Sequence, residues 1–138
     1  VNCGLSISEY QRRTSAGAAM SEKHMPVIDY LELPARDLKA YGQMKEFYTG
    51  VFGWKYQDWG PDYSDTHDSG IASGITSGTD HHSKHPLPVV HVAGIEAAKA
   101  VVIKAGGVVS RDIFEFPGGR RFHFTDPGGN ELAVWSEG

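Results

Sequence analysis

Five side chains suited to binding or proton transfer recur at alternate positions of three strand-like segments. They are Tyr30 and Glu32 in Val27–Leu33, His91 in Leu87–Val92, and Glu131 and Trp135 in Glu131–Trp135. Residues two apart on a strand share a face. If these segments line one cleft, a phenol, two carboxylates, an imidazole and an indole meet there. Carboxylates are seldom set on an inner sheet face without a partner. Two roles are open to Glu32 and Glu131: ion pairing with Arg120, Arg121 or Lys55, or general-base chemistry with a pKa raised by apolar surroundings. His91 has the same choice between a hydrogen-bonded lining role and acid–base work, since imidazole titrates near a pH of about 6.5. Glu32, His91 and Glu131 are therefore the catalytic candidates.

Tyr63 and His67, from Asp62–His67, join the same face if their register suits. Trp59 and Trp135 with Tyr30 and Tyr63 have the makings of an aromatic box for a planar or cationic ligand, or of aromatic core packing. Phe114, Phe116, Phe122 and Phe124 read as core. The tract His81-His82-Ser83-Lys84-His85 resembles a metal-binding run but falls in a polar connector with only Asp80 as nearby carboxylate, which suits a solvated loop better. His67 and His123 precede two turns and converge only if both face inward; His24 precedes the first strand. Nucleophile-elbow and phosphate-loop motifs are absent. The single Cys3 has no activating neighbour, excludes an intrachain disulfide and suits a reducing compartment, so a cytoplasmic setting is expected.

The elements that must position these groups follow from periodicity. Val27–Leu33 is a strand ending at Pro34. Leu38, Tyr41, Met44, Tyr48 and Val51 then recur at helical spacing, and Gly50 and Gly53 bracket the helix end. Strands are expected over Trp54–Trp59, Asp62–His67 and Ile71–Ile75. The same grammar restarts with the Leu87–Val92 strand. Ile95, Ala98, Val102 and Ala105 mark a helix face, Gly106-Gly107 closes the helix, and strands follow from Val108-Val109, at Arg121–Thr125 and at Glu131–Trp135. Asp68-Ser69-Gly70 and Asp126-Pro127-Gly128 mark corresponding hairpins. The result is a degenerate repeat of about 55 residues.

A chain of 138 residues with 40% hydrophobic and 11% aromatic content suits one compact domain with a real core. The net charge of −4 and the lack of a basic stripe argue against nucleic acid as a partner. No apolar run approaches the roughly 18 residues of a membrane span. Residues 1–25 are Ser/Ala/Gly-rich without amphipathic pattern and read as a mobile or partner-contacting arm, with Met20 or Met25 as alternative initiators. Residues 26–138 form the domain, with one module over 26–77 and a second over 86–138.

Two stretches, Phe122-His-Phe-Thr-Asp-Pro-Gly-Gly-Asn-Glu-Leu-Ala-Val-Trp135 and Glu46-Phe-Tyr-Thr-Gly-Val-Phe-Gly-Trp54, strongly resemble the vicinal oxygen chelate superfamily. Its members include glyoxalase I, extradiol dioxygenases and the bleomycin and fosfomycin resistance proteins. The resemblance implies an α+β fold of two paired βαβββ modules: a curved eight-stranded mixed sheet around a cleft, with helices outside. In metal-dependent members, four cleft-facing His or Glu side chains hold a divalent ion that acts as Lewis acid. Counted from Asp37, Asp68, Gly106-Gly107 and Asp126, those positions fall on Tyr30, near Gly74, on Leu87 and on Ala133. At most Tyr30 could supply a bond, so no metal and no other cofactor is expected. Between Asp37 and Phe47 the chain is about three residues longer than the family pattern, with Gly42 inside the addition; an extra turn and a bulged lead-in are both open.

The ligand-binding candidates are Tyr30, Trp59, Tyr63, His67, Leu87, Ala133 and Trp135. The favoured expectation is a metal-free, homodimeric binder of a small organic molecule, with neither nucleic acid nor membrane as a partner. The alternatives are an enzyme (a lyase, isomerase or dioxygenase) with a metal site rebuilt from His67, His91, His123 or Glu131, or with Glu32 as a metal-independent base, and an interaction domain with a closed cleft.

Overall fold

The computed structural model describes residues 25–78 and 83–138. Most of the expected arm and the His81-His82 pair lie outside the described residues. β1 (Val27–Pro34) leads into α1 (Leu38–Phe52), β2 (Lys55–Asp58), β3 (Tyr63–His67) and β4 (Ser73–Thr76). The series then repeats as β5 (Leu87–His91), α2 (Ile95–Lys104), β6 (Val108–Phe116), β7 (Gly119–Thr125) and β8 (Glu131–Ser136). The eight strands form one mixed, open sheet in the order β2-β3-β4-β1-β5-β8-β7-β6. Within each half the last strand returns parallel to the first, β4 beside β1 and β8 beside β5, while β1 and β5 join the halves antiparallel.

α1 starts at Asp37, whose side chain accepts from the Ala40 backbone N–H at 2.7 Å, satisfying an otherwise orphaned donor. It stops at Gly53, which takes the left-handed conformation (φ 75°) and donates its N–H to the Thr49 carbonyl. The helix is continuous through Gly42, so the additional residues near its start are helical. Ala40 and Tyr41, with Met44 and Tyr48, pack on Ala35, Ile75 and Tyr56. The expected stripe is shorter than its spacing implied, because Leu38 and Val51 are exposed. α2 places Ile95, Ala98 and Val102 over Phe122, Phe124 and Val134. Lys99 to Asp112 (2.6 Å) and Arg120 to Glu96 clamp its exposed side onto β6 and β7.

The strands agree with the expected order but differ at their edges. β2 loses Trp54 and Trp59; Trp54 stacks instead on Tyr48 (5.0 Å between centroids), and Trp59 begins the turn. β4 begins at Ser73 rather than Ile71, whereas β6 starts at Val108 as expected and runs to Phe116, its register slipping twice along the edge. The Asp126 turn is held from within: the Asp126 carboxylate accepts from the backbone N–H groups of Gly128 (2.8 Å) and Asn130 (2.9 Å), with Gly129 at φ 89°. Among the described residues no helix is long and apolar enough to cross a membrane.

Candidate functional site

The concave side of the sheet carries a cleft whose shape starts with a single irregularity in β1. Val27 and Ile28 pair with His91 and Val90, but Tyr30 already pairs with Val89, so Asp29 is an inserted residue. A bulge lets neighbouring side chains share a face. Asp29 and Tyr30 consequently both line the cleft, as does Glu32. The inner cavity measures about 230 Å³ and is walled by Tyr30, Tyr63, Phe116 and Trp135. It adjoins a wider cavity of about 840 Å³ that shares Glu32, Tyr63, Asp65 and Arg121 and extends to Trp59 and Asp62.

A chain of hydrogen bonds runs along one wall. Tyr63 Oη donates to Tyr30 Oη (2.7 Å), which donates to Asp65 Oδ1 (2.6 Å); Trp59 Nε1 donates to Asp65 Oδ2 (2.9 Å). Burial is the main force holding both phenols above their ordinary pKa, and neighbouring negative charge adds to it, so both remain protonated donors. Gly74 makes room for this arrangement: a Cβ there would lie 2.0 Å from Tyr30 Oη and 2.9 Å from the Ser64 carbonyl.

The opposite wall is closed by ions paired with one another. Arg121 on β7 reaches across β8 and β5 to grip Glu32 on β1 with two N–H groups, at 3.2 and 3.3 Å. Its guanidinium also donates to His123 Nε2. An accepting Nε2 puts the ring proton on Nδ1, which faces Glu131 Oε2 at 3.5 Å. Burial, helped by the Arg121 charge, pulls the His123 pKa down to about 4, so this ring is neutral at pH 7. Burial works to raise the Glu131 pKa, but hydrogen bonds from Ser83 (2.8 Å) and Ser110 (2.9 Å), with His123, bring it below its ordinary value.

His91 lies behind the cleft wall. Its ring stacks on Trp135 (4.1 Å, 13°), with Nε2 3.1 Å from Glu137 Oε1 and Nδ1 3.7 Å from Asp29 Oδ2. Trp135 Nε1 donates to Asp29 Oδ1 at 3.1 Å. Burial nevertheless outweighs these neighbours and raises the Asp29 pKa.

Of the candidates read from the sequence, Tyr30, Glu32, Tyr63 and Trp135 line the inner cavity, and Trp59 lines the outer one. Leu87 and Ala133, expected to touch a ligand, line neither cavity. Both are fully buried in a core cluster with Val89, packed against Tyr30 and Trp135, and of the three only Val89 reaches the inner cavity. The three catalytic candidates are not gathered: Glu32 is bound to Arg121, His91 buttresses Trp135, and Glu131 is tied to serines outside both cavities. His67 is exposed at the end of β3 and lines neither cavity, because β3 has left the cleft wall by that point. His67 and His123 do not converge. Phe116 lines the cleft instead of filling the core, and Phe114 packs beside His123 and beneath Arg111. Asp65 was legible by the alternation that links Tyr63 to His67. Asp29 was not, since counting by twos puts it on the outer face and nothing in the sequence marks the bulge.

The four positions where metal-dependent relatives hold an ion are close in space: the Gly74 backbone faces Tyr30 Oη, and Tyr30 packs with Leu87 and Ala133. Their donors do not fit an ion, because one protonated phenol, a glycine, a leucine and an alanine bring no imidazole or carboxylate. Among the described residues, no other group of three or more His, Cys, Asp or Glu side chains is arranged to hold one.

The family model described as Glyoxalase/Bleomycin resistance protein/Dioxygenase superfamily matches residues 27–134. No curated protein sequence matches the chain. Several solved structures share the fold. An NAD-dependent benzaldehyde dehydrogenase from Legionella pneumophila has a TM-score of 0.62 at 11% identity, over 78% of this chain and 96% of that one. A glyoxalase/bleomycin resistance protein/dioxygenase superfamily member from Vibrio splendidus 12B01 gives 0.57 at 15%, over 78% and 96%. A Mn(II)-bound glyoxalase from Novosphingobium aromaticivorans gives 0.55 at 19%, over 81% of this chain but only 40% of that one. At such identities the likeness is one of fold.

Proposed function

Since the chain belongs to the glyoxalase/bleomycin resistance protein/dioxygenase superfamily, we propose that it binds a small aromatic or amphipathic organic molecule in the concave cleft without the metal centre of its metal-dependent relatives. The observation that carries this reading is the contrast between floor and walls. Val89, backed by the fully buried Leu87 and Ala133, gives the floor its apolar character, while Tyr30, Tyr63, Phe116 and Trp135 stand around an open space of about 230 Å³. Concave, mostly apolar sites with a few placed polar groups are where small ligands bind. Sequestration of the ligand needs no further chemistry.

Two chains acting together are part of the same proposal. Phe47, Val51 and Phe52 are exposed on α1 and offer apolar surface for such a contact. A cytoplasmic setting is the third part, supported by the single Cys3.

One observation favours a second reading, in which the cleft also performs acid–base chemistry. Asp29 faces the inner cavity, is oriented by Trp135 and has a raised pKa, which are properties of a general base. Glu32 and Glu131 lack that freedom because each is already bound to protein partners.

Native mass spectrometry after loading with Ni, Zn, Fe or Mn, paired with calorimetric titration of small aromatic compounds, tests the proposal. Saturable binding that survives chelation and is lost in Trp135→Ala is the expected result. One tightly held ion per chain, needed for binding, would overturn it. Sedimentation of the same sample reads the two-chain assembly.

A further inference from the structure

The cleft's charge and its walls together narrow the ligand class, on the premise that the cleft is a ligand site. Arg121 is the one cationic side chain lining either cavity among the described residues. Its guanidinium is already occupied by Glu32 and His123, and its side chain is only 7% exposed. An anionic ligand would find no free cation there. The carboxylates have a different balance. Glu32 is neutralised by Arg121, and Asp58 by Lys45 at 2.6 Å. Asp65 is held by the neutral donors Tyr30 and Trp59, and Asp29 by the neutral Trp135 indole, with the His91 ring at 3.7 Å.

The aromatic walls are an independent observation pointing the same way. Tyr30, Tyr63, Phe116 and Trp135 surround the inner cavity, and ring faces attract cations through their quadrupoles, most strongly where water is excluded. We infer that the cleft selects an organic cation: a protonated amine or quaternary ammonium on a small aromatic or apolar body, its charge between Asp29 and Asp65 and its body against the rings. Neutral donors position the two acids without cancelling their charge, so cation recognition is left to the ligand.

The test compares three probes with one ring system and different charge, namely naphthylmethylammonium, naphthylmethanol and naphthoate, by calorimetry at pH 7. The ammonium should bind roughly tenfold tighter than the alcohol, the size of one partly desolvated cation–π contact, and naphthoate more weakly than either. Added salt should weaken the ammonium alone. Asp29→Asn keeps a carbonyl oxygen for the Trp135 N–H, and Asp65→Asn keeps one for the Trp59 N–H while its amide N–H can donate to the Tyr30 hydroxyl. Each should narrow the ratio of ammonium to alcohol affinity several-fold. Binding of the alcohol or naphthoate as tightly as the ammonium overturns the charge assignment and leaves the cleft a binding site. Failure of all three probes to bind overturns the binding reading itself, and the inference with it.

Discussion

On the concave side of the first module, Tyr30, Tyr63 and Asp65 form a chain of hydrogen bonds bordering open space, with Trp59 closing its outer end. On the corresponding side of the second, Leu87, Val89 and Ala133 are sealed into a floor, and Arg121, His123 and Glu131 bind one another or Glu32. The strand order of the two halves is the same read outward from the β1–β5 seam. Equivalent backbone positions therefore carry different physical tasks. The first half sets its hydrogen-bonded polar groups along the open space; the second binds its own across the cleft or to one another and supplies an apolar backing. Where metal-dependent relatives draw an ion's ligands from both halves, here the halves are linked across the cleft by Glu32 and Arg121, whose bond spans β5 and β8.

That link is the part of the contrast whose removal should matter most. Glu32 and Arg121 are each about 7% exposed in their side chains. Arg121→Met strands a buried carboxylate, and breaking such a pair from one side costs about 3–5 kcal/mol. Urea unfolding should show that loss, and the double variant Glu32→Gln/Arg121→Met should recover much of it, because the uncompensated charge is gone. Equal stability of the single and double variants would mean that Glu32 and Arg121 do not act as a pair.

A smaller effect is expected on the open side. Gly74→Ala sets a methyl 2.0 Å from Tyr30 Oη and 2.9 Å from the Ser64 carbonyl. The phenol has to move, and the backbone contact cannot relax freely, so a cost of about 1–3 kcal/mol is expected. Tyr30→Phe in the same chain removes the nearer obstacle and should return part of the loss. If Gly74→Ala proves neutral by urea unfolding, the packing of Tyr30 over Gly74 is not what shapes this wall.

The sequence carried the architecture well, and the reason is physical. Helical spacing in Tyr41, Met44 and Tyr48, the Asp37 cap and the Asp126-Pro127-Gly128-Gly129 turn are local signals, and each acts within one turn or hairpin. Alternation also placed Tyr30, Glu32, Tyr63 and Trp135 on the cleft face. It failed where a side chain's role depends on a partner far along the chain or on one extra residue in a strand. Glu32 was open to pairing or catalysis until Arg121, 89 residues later, was seen to hold it. Asp29 would fall outside by the same count, which its own bulge breaks. His67 obeyed the count, yet lies where its strand no longer borders the cleft.

His123 gives the finest test of the closed side, because its ring must remain neutral to accept from Arg121. Its pKa is about 4 in the fold against an ordinary 6.5. As pH falls from 6.5 towards 4 the unfolded chain takes up a proton that the folded one refuses. The resulting stability is complete above pH 6.5 and is lost progressively on acidification through that window. Between pH 7 and pH 5 the loss should be about 1–2 kcal/mol by linkage. Asp29, with its raised pKa, contributes in the opposite sense above its ordinary 3.8, so the quantity to compare is the difference between two proteins. His123→Gln keeps an acceptor but cannot titrate, and Asp29 cancels in the comparison. The wild-type advantage over His123→Gln, followed by urea unfolding at several pH values, should therefore shrink as pH falls from 7 to 5. A constant advantage would show that His123 takes up its proton equally in both states, and the closed wall would then need no neutral imidazole.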